Sequence, residues 1–293
     1  MYDIIGYYDA ETVGEATALL AKNPNLRPIA GGTDVLIKMH GGQLEAAELL
    51  SLRKIKSLSI IRKAEDDTIV IGAMSCFTQV FNDPLLREMI PILTEAAISM
   101  GGPQIRNIAT IGGNVCNGAT SADSASSLFA LNAQLKLERV NGERIVPIRE
   151  FYLGPGKVAL KPGEILTEIR ISPEDYQGFG GQYIKFAMRE AMDIATLAVS
   201  VICKLSGKTF ADVRIGLGVA GPTPLRCLDA EVYAQGKEVS VETVAEIGKL
   251  AVNSAKARTS WRASKEYREH LIEELVQRAL KKAVVNAGGA KLV

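Results

Sequence analysis

The chain has 293 residues, of which 34 are Lys or Arg, 33 are Asp or Glu, and 47% are hydrophobic. This length predicts two domains, and the balanced charge argues against nucleic acid or an anionic membrane surface as a partner. The first residues lack the basic region of a signal peptide and no apolar run reaches membrane-spanning length, so we expect a cytoplasmic protein.

The cysteines and histidines predict no metal site. Cys76, Cys116, Cys203 and Cys227 lie far apart and lack the C-x-x-C spacing typical of zinc or iron–sulfur ligands. The two histidines occur in unrelated contexts. We therefore expect reduced thiols and no metal held by this chain alone.

The first distinctive segment is glycine-rich and follows a short apolar run. An amphipathic helix is predicted over Thr12–Ala21, and Pro28–Asp34 then reads PIAGGTD. Consecutive amides in such a turn can form a nest for an anion such as pyrophosphate, although a glycine pair is also common in ordinary turns. Asp34 either contacts the ligand or stabilises the turn as a cap.

Regular elements lead to a second glycine-rich segment, GGPQIRNIATIGGNVCNGATSADSA over Gly101–Ala125. Its near lack of bulky side chains favours close approach of another group to the backbone. Asp123 falls in the first turn of a predicted helix, where it either binds the ligand or interacts with the helix dipole. The elements predicted here are a strand at Ile69–Ile71, helices at Glu88–Ser99 and Ala122–Leu131, and strands at Gln134–Arg139 and Glu164–Ile171.

A polar, glycine-rich stretch at Pro173–Gln182 predicts a domain boundary. Beyond it we predict a three-stranded sheet covered by helices, an α+β arrangement. Its strands are Tyr183–Arg189, Ile194–Leu205 and Val213–Ala220, and its helices are Val241–Lys256 and Lys265–Val285. Lys185 and Arg189 share one face of the first strand, with Asp193 just beyond. Such a row is either a solvated face or places Lys185 beside a cofactor.

Three motifs together resemble one family: AGGTD at Ala30–Asp34, PQIRNIATIGGN at Pro103–Asn114 and SWRASKEYR at Ser260–Arg268. They resemble the FAD-binding subunit of the xanthine dehydrogenase group of molybdenum hydroxylases, and bacterial purine or xanthine dehydrogenase subunits in particular. The resemblance implies a vanillyl-alcohol-oxidase-like (PCMH-type) FAD-binding domain over residues 1–176, made of two α+β subdomains split near residue 58. A C-terminal α+β domain like that of the carbon monoxide dehydrogenase flavoprotein would follow over residues 177–293.

The resemblance also implies which residues bind FAD. The first segment would wrap the pyrophosphate, and the second, a loop over Ala109–Asn114, would line the diphosphate and the flavin edge. Lys185 matches a lysine of the family, and from their charges we expect Lys185 and Asp193 to tune the flavin. The full set is Arg27, Pro28, Ile29, Ala30, Gly31, Gly32, Thr33, Asp34, Leu36, Met100, Ala109, Thr110, Ile111, Gly112, Gly113, Asn114, Asp123, Ile165, Leu166 and Lys185.

In such an enzyme this chain would carry non-covalent FAD, while the molybdenum cofactor and two iron–sulfur clusters reside on separate partner subunits. The flavin would collect electrons from the clusters and pass a hydride to NAD, with oxygen or ferredoxin as other acceptors, in a dimer of heterotrimers. Two alternatives stay open from the sequence. One is a stand-alone flavin oxidase using Asp193 or Tyr183, and the other is a non-catalytic nucleotide-binding scaffold.

Overall fold

A computed structural model describes residues 2–292 of the chain. Its first unit is a three-stranded parallel sheet in the order β1-β3-β2. The elements are β1 (Ile4–Asp9), α1 (Val13–Lys22), β2 (Arg27–Ile29), α2 (Val35–His40) and β3 (Ala47–Ser51). Helix α1 starts where Thr12 accepts a hydrogen bond from the amide of Glu15, and it buries Ala16 and Leu20 against Leu50. The parallel pairing brings the ends of β2 and β3 to one edge.

The second unit is a five-stranded antiparallel sheet in the order β4-β5-β10-β6-β7. Its strands are β4 (Ile61–Lys63), β5 (Ile69–Gly72), β6 (Gln134–Arg139), β7 (Gly142–Pro147) and β10 (Ile165–Ile171), and a small ribbon pairs β8 (Tyr152–Gly154) with β9 (Lys157–Val158). Six helices lie between β5 and β6: α3 (Phe77–Asn82), α4 (Pro84–Met89), α5 (Pro91–Ser99), α6 (Pro103–Arg106), α7 (Ile111–Cys116) and α8 (Ala125–Ala130); α9 (Ile148–Phe151) follows β7. Their apolar faces form one core with the sheet.

The third unit is an antiparallel sheet of four strands, not the three predicted. It contains β11 (Gly180–Phe186), β12 (Leu197–Ser206), β13 (Thr209–Gly218) and β14 (Leu225–Arg226), and it is covered by α10 (Leu228–Ala234), α11 (Val241–Asn253) and α12 (Lys265–Asn286). The additional strand has only two residues, too short to show an alternating pattern in the sequence. The predicted α+β class is confirmed.

The helix predicted over Glu88–Ser99 is α5, but it begins at Pro91, because the preceding helix α4 ends at Met89. Pro91 has no backbone N–H and cannot continue α4, but it fits the first position of α5. None of the helices within residues 2–292 combines the length and apolarity needed to cross a bilayer.

The second and third units pack through polar contacts as well as apolar ones. The hydroxyl of Ser200 on β12 donates to that of Ser126 on α8 at 2.9 Å. Arg226 on β14 donates to the carbonyl of Phe129 at 3.1 Å and to Asn132 at 2.7 Å, and its ion pair with Glu231 holds it in place.

Candidate functional site

The first glycine segment connects β2 to α2, and its two glycines are needed for different reasons. A side chain on Gly31 would overlap the backbone carbonyl of Ile108, in the second glycine segment. Gly32 has a φ of +78°, a conformation that L-residues adopt at a cost. The first glycine therefore permits contact between the two segments, and the second permits the turn.

Four consecutive amides in this segment are available to a ligand. The N–H groups of Gly31, Gly32, Thr33 and Asp34 donate no hydrogen bond to another residue in the described part of the chain. Asp34 stands at the N-cap position of α2, but its side chain makes no capping hydrogen bond, so the predicted capping role is wrong. Unpaired adjacent amides are the arrangement that an anion nest requires.

Within the second glycine segment, Ile111–Cys116 form helix α7, so the loop predicted over Ala109–Asn114 is wrong from Ile111 onward. Thr110 caps α7 by accepting a hydrogen bond from the amide of Gly113 at 3.0 Å. Gly112 packs against the backbone of Ala73, where a side chain would come within 2.6 Å of that residue's Cβ. Gly113 instead faces the first segment, with Ala30 Cβ 3.9 Å from the position of its missing side chain.

The amides of this helix start are already used within the protein. Ile111 donates to Ser75, Gly112 donates to Ala73, and Asn114 donates to Thr110. The side chain of Asn114 also accepts a hydrogen bond from Ser124 at 2.7 Å. The second segment can therefore offer a ligand a surface without bulky side chains, but few free amides.

A cleft of 190 Å³ opens between the two segments. It is lined by Ala30, Gly31, Arg53, Ser59, Met74, Cys76, Gln79, Asn107, Ile108 and Thr110. Arg53 is the cationic member of this lining, and no acidic side chain among residues 2–292 lies within 4.0 Å of its charged nitrogens. The cleft is thus lined both by Gly31, whose amide is free, and by an arginine without an acidic partner, a combination that suits a phosphate group.

Sequence reasoning missed Arg53, although a signal was present. Ile29 at the end of β2 pairs with Ser51 at the end of β3, so Ala30 and Arg53 leave the same edge of a parallel sheet. Ligands commonly bind outside the carboxyl ends of parallel strands. A basic residue two positions after the second strand was therefore a candidate once the two strands were paired.

A second group of predicted residues gathers where β11 meets α5 and α8. Lys185 Nζ lies 3.0 Å from Asp123 Oδ1, and it donates a hydrogen bond to the carbonyl of Ser99 at 3.1 Å. Both side chains are about nine-tenths buried. Apart from this ion pair, Asp123 Oδ1 has no hydrogen-bond donor among the described residues, so it retains capacity to accept one.

The charge state of Asp123 is set mainly by its surroundings. Burial raises the pKa of its carboxyl group to about 6, and the opposing effect of Lys185 is smaller. Asp123 lies before the N-cap of α8 and not in the first turn as predicted, so interaction with the helix dipole is a weaker explanation for it. Its buried ion pair is instead the defining contact.

The predicted row of charges along the first C-terminal strand is wrong. β11 ends at Phe186, and Arg189 lies in the turn that follows. The backbone amide of Arg189 donates to Asp193 at 3.1 Å, and the Asp193 side chain also accepts from the amide of Ile194 at 2.9 Å. The side chain of Lys185 is buried in its ion pair with Asp123, whereas Asp193 bonds to the turn that contains the exposed Arg189. The two residues predicted to tune the flavin therefore have different surroundings.

The other residues predicted to bind FAD differ in their burial and contacts. Ile165 and Leu166 begin β10 with buried side chains that pack into two different cores. Met100 is buried, and its carbonyl accepts a hydrogen bond from Arg106 at 2.9 Å. Arg27 and Pro28 lie exposed on β2. Cys116 is a poor nucleophile, because burial raises the pKa of its thiol to about 12.

No three His, Cys, Asp or Glu side chains within residues 2–292 come together to hold a metal ion.

Comparison with known proteins matches residues 3–174 to the FAD binding domain in molybdopterin dehydrogenase. Residues 182–283 match the CO dehydrogenase flavoprotein C-terminal domain.

Two relatives extend along almost the whole chain. The xanthine dehydrogenase FAD-binding subunit of Escherichia coli O157:H7 is 42% identical over 289 residues, which cover 99% of each protein. The carbon monoxide dehydrogenase medium chain of Hydrogenophaga pseudoflava is 33% identical over 278 residues, which cover 94% of this chain and 96% of the relative.

The fold is shared with solved structures. A chain of the carbon monoxide dehydrogenase of Hydrogenophaga pseudoflava superimposes with a TM-score of 0.92, covering 98% of this chain and 99% of that one at 31% identity. Quinoline 2-oxidoreductase from Pseudomonas putida 86 gives a TM-score of 0.92 at 23% identity, over 98% of this chain and 99% of that one. These matches confirm the expected fold. The chain therefore belongs to the family of FAD-binding subunits of molybdenum hydroxylases, the oxidoreductases that include the xanthine and carbon monoxide dehydrogenases.

Proposed function

We propose that this chain is the electron-transfer subunit of a xanthine or purine dehydrogenase and passes electrons from partner iron–sulfur clusters to NAD. The observation that carries the proposal is the cleft lined by Gly31, Arg53 and Thr110, because Gly31 is the first of four consecutive residues whose amides are free. Bound FAD would supply the redox chemistry, because a flavin exchanges electrons singly with clusters and in pairs with a nicotinamide. The residues of the chain bind and orient it.

The pyrophosphate of FAD fits the first glycine segment. Its two negative charges would be met by the amides of Gly31, Gly32, Thr33 and Asp34 and by the guanidinium of Arg53. Arg27–Ile29 and Leu36 would position this turn from both sides. The binding is non-covalent in this proposal, since neither histidine falls in a glycine segment.

The residues Ala109–Asn114 would line the same group from the opposite side. Gly113 leaves room between the segments, while the Thr110 amide donates no hydrogen bond within the described residues. Met100, Ile165 and Leu166 would border the flavin with apolar surface and backbone. The unfilled acceptor at Asp123 Oδ1 fits a hydroxyl or amide donor of the cofactor.

Lys185 would act on the electronic properties of the flavin. A cation close to the isoalloxazine stabilises negative charge that develops on reduction, and so raises the reduction potential. The hydrogen bond to Ser99 and the ion pair with Asp123 hold the ammonium group in one position. Asp193 is tied to the turn after β11, so we assign it a role in shaping that turn.

The molybdenum cofactor and the iron–sulfur clusters would reside on partner subunits, in a dimer of heterotrimers. An apolar surface on the edge strand β1 supports such an assembly, because Ile5 and Tyr7 are 67% and 56% exposed there. Exposed apolar patches commonly mark contacts with other subunits. We place the complex in the cytoplasm and in purine metabolism.

The purified chain tests this function in two steps. Its visible spectrum and the nucleotide released by acid should show one non-covalent FAD per chain. The FAD-loaded chain should then oxidise NADH with an artificial electron acceptor. A chain that binds FAD and fails to oxidise NADH contradicts the NAD part of the proposal, and a chain that binds no FAD contradicts all of it.

A further inference from the structure

The segment between α11 and α12 carries a group of three arginines that the proposed function leaves unused. Arg258, Arg262 and Arg268 all belong to or adjoin the SWRASKEYR motif. Arg258 is exposed, Arg262 is half-buried and Arg268 is buried, so the charges extend from the surface into the protein. This surface lies at the start of α12, away from the glycine segments in the sequence.

Arg268 is the most unusual member, because only 3% of its surface is exposed. Its guanidinium donates to the carbonyl of Thr196 and, at 2.8 Å, to the hydroxyl of Ser260. Both partners are neutral, and no carboxylate among residues 2–292 lies within 4.0 Å. A buried guanidinium without a counter-charge is energetically costly, which indicates that an anion normally accompanies it.

Two neighbouring arginines increase the positive charge around Arg268 that no carboxylate balances. Burial lowers the pKa of Arg268, and the positive charges of Arg258 and Arg262 lower it further. The Nε atoms of both Arg262 and Arg268 are buried and have no hydrogen-bond partner. Like charges brought together without an acidic residue repel each other, and an oxyanion would relieve the repulsion.

Trp261 provides an aromatic surface beside these charges. Its indole is 75% exposed, and the guanidinium of Arg262 lies 4.1 Å from its ring. A large exposed aromatic ring is costly in water, whereas a flat base stacks on it favourably. Arginine with an adjoining aromatic ring is a combination that suits both parts of a nucleotide.

We propose that Arg258, Arg262 and Arg268 form a second anion site that takes the phosphate groups of a nucleotide, whose base stacks on Trp261. Arg258 and the outer part of Arg262 contact the phosphates, and Arg268 beneath them supplies positive potential. None of these residues lines the cleft between the glycine segments. The site does not depend on which molecule accepts electrons from the flavin.

Trp261 makes the test specific, because it is the single tryptophan of the chain. The FAD-saturated full chain is titrated with pyrophosphate, ADP and adenosine at constant ionic strength, and the tryptophan emission is recorded. We expect a saturable change with ADP, a weaker one with pyrophosphate and the weakest with adenosine. Arg258→Gln and Arg262→Gln should each weaken ADP binding about tenfold, the loss expected for one charge-assisted hydrogen bond.

Arg278→Gln is the control, since it makes the same change at an exposed arginine of α12 that pairs with Glu274. It should leave ADP binding unchanged, and all three variants should keep full FAD content. The proposal is overturned if ADP gives no saturable change, if adenosine binds as tightly as ADP, or if the Arg258 and Arg262 variants match the control. A response to a glutamate-rich peptide without one to ADP would likewise overturn it in favour of a protein carboxylate.

Discussion

Lys185 and Asp123 form a buried ion pair with 3.0 Å between Nζ and Oδ1, although 61 residues separate them along the chain. The pair joins β11 of the third unit to the segment before α8 of the second. Its position at this junction makes it the best candidate for a direct effect on bound FAD.

Replacing Lys185 tests that effect. Lys185→Met should lower the midpoint potential of bound FAD by on the order of 30 mV, which corresponds to about 1.4 kcal/mol for a two-electron couple. Spectroelectrochemical titration measures the shift. Lys185→Arg keeps the charge and should retain most of the potential. Equal potentials in Lys185→Met and the parent protein would place the ammonium group away from the flavin.

Asp123 gives the stability a defined pH dependence. Its pKa is about 6 in the folded protein, above the ordinary value of 3.8, so the folded state binds more protons between these two values. Stability should therefore fall as the pH rises through this window and stay reduced above it. Asp123→Asn removes this titration, so the change in unfolding free energy that it causes should be more favourable at pH 7 than at pH 4, by up to about 3 kcal/mol. Urea unfolding of the FAD-free protein at both pH values measures the change, and a change that is independent of pH would contradict the raised pKa.

Arg53 should contribute to FAD affinity through charge. Arg53→Gln removes the positive charge of the cleft and should weaken FAD binding about tenfold, as expected for one charge-assisted contact. Titration of the FAD-free protein with FAD, followed by flavin fluorescence, gives the dissociation constants. Arg149→Gln makes the same change at an exposed position on α9 and should have no effect. Similar affinities in the two variants would remove Arg53 from the site.

Gly32 allows a test that separates backbone strain from loss of the site. Gly32→Val places a side chain at a φ of +78° against Ile29 and Leu36, and so distorts the backbone of the nest. Gly42→Val strains a similar φ of +70° just beyond α2, where the nearest atom is 4.0 Å away. Both variants should lose about 1–2 kcal/mol of stability. Only Gly32→Val should also lose FAD, measured as the ratio of flavin to protein absorbance. Full FAD content in Gly32→Val would contradict the placement of the pyrophosphate.

Arg226 should be important for the stability of the junction between the second and third units. Arg226→Met leaves the buried carboxylate of Glu231 without its partner and removes the bonds to Phe129 and Asn132, which should cost about 3–5 kcal/mol. The double variant with Glu231→Gln should recover part of this loss, because no buried charge is then uncompensated. Thermal unfolding compares the two, and a double variant less stable than the single one would contradict the electrostatic explanation.

Local periodicity was sufficient to predict much of the fold. The alternation in QLKLER predicts β6 with its observed bounds, and α12 begins at Lys265 as predicted. The loop over Ala109–Asn114 is expected from the family resemblance, and the low helix propensity of two adjacent glycines gives no local sign of α7 or of the cap formed by Thr110 and Gly113. Tertiary packing on Ala73 compensates for that propensity.

The candidate site depended more on long-range contacts. Both glycine segments are recognisable from the sequence, but their convergence appears only in the packing of Gly31 on Ile108. The presence of Arg53 beside them follows from the parallel pairing of β2 with β3. The predicted row of Lys185, Arg189 and Asp193 requires a strand that continues to Arg189. Strand β11 instead ends at Phe186, where its pairing with β12 ends. Such partners lie too far along the chain for a local pattern to specify.

The contact of Gly31 with Ile108 predicts an uneven pattern of variation among related proteins. The contact is made by the main-chain carbonyl of Ile108, whose side chain is 48% exposed. Any residue at position 108 offers the same carbonyl, whereas any side chain at position 31 separates the two segments. Substitutions should therefore accumulate freely at position 108 while position 31 stays glycine, so that the residue free to vary and the residue held constant are the two halves of one contact.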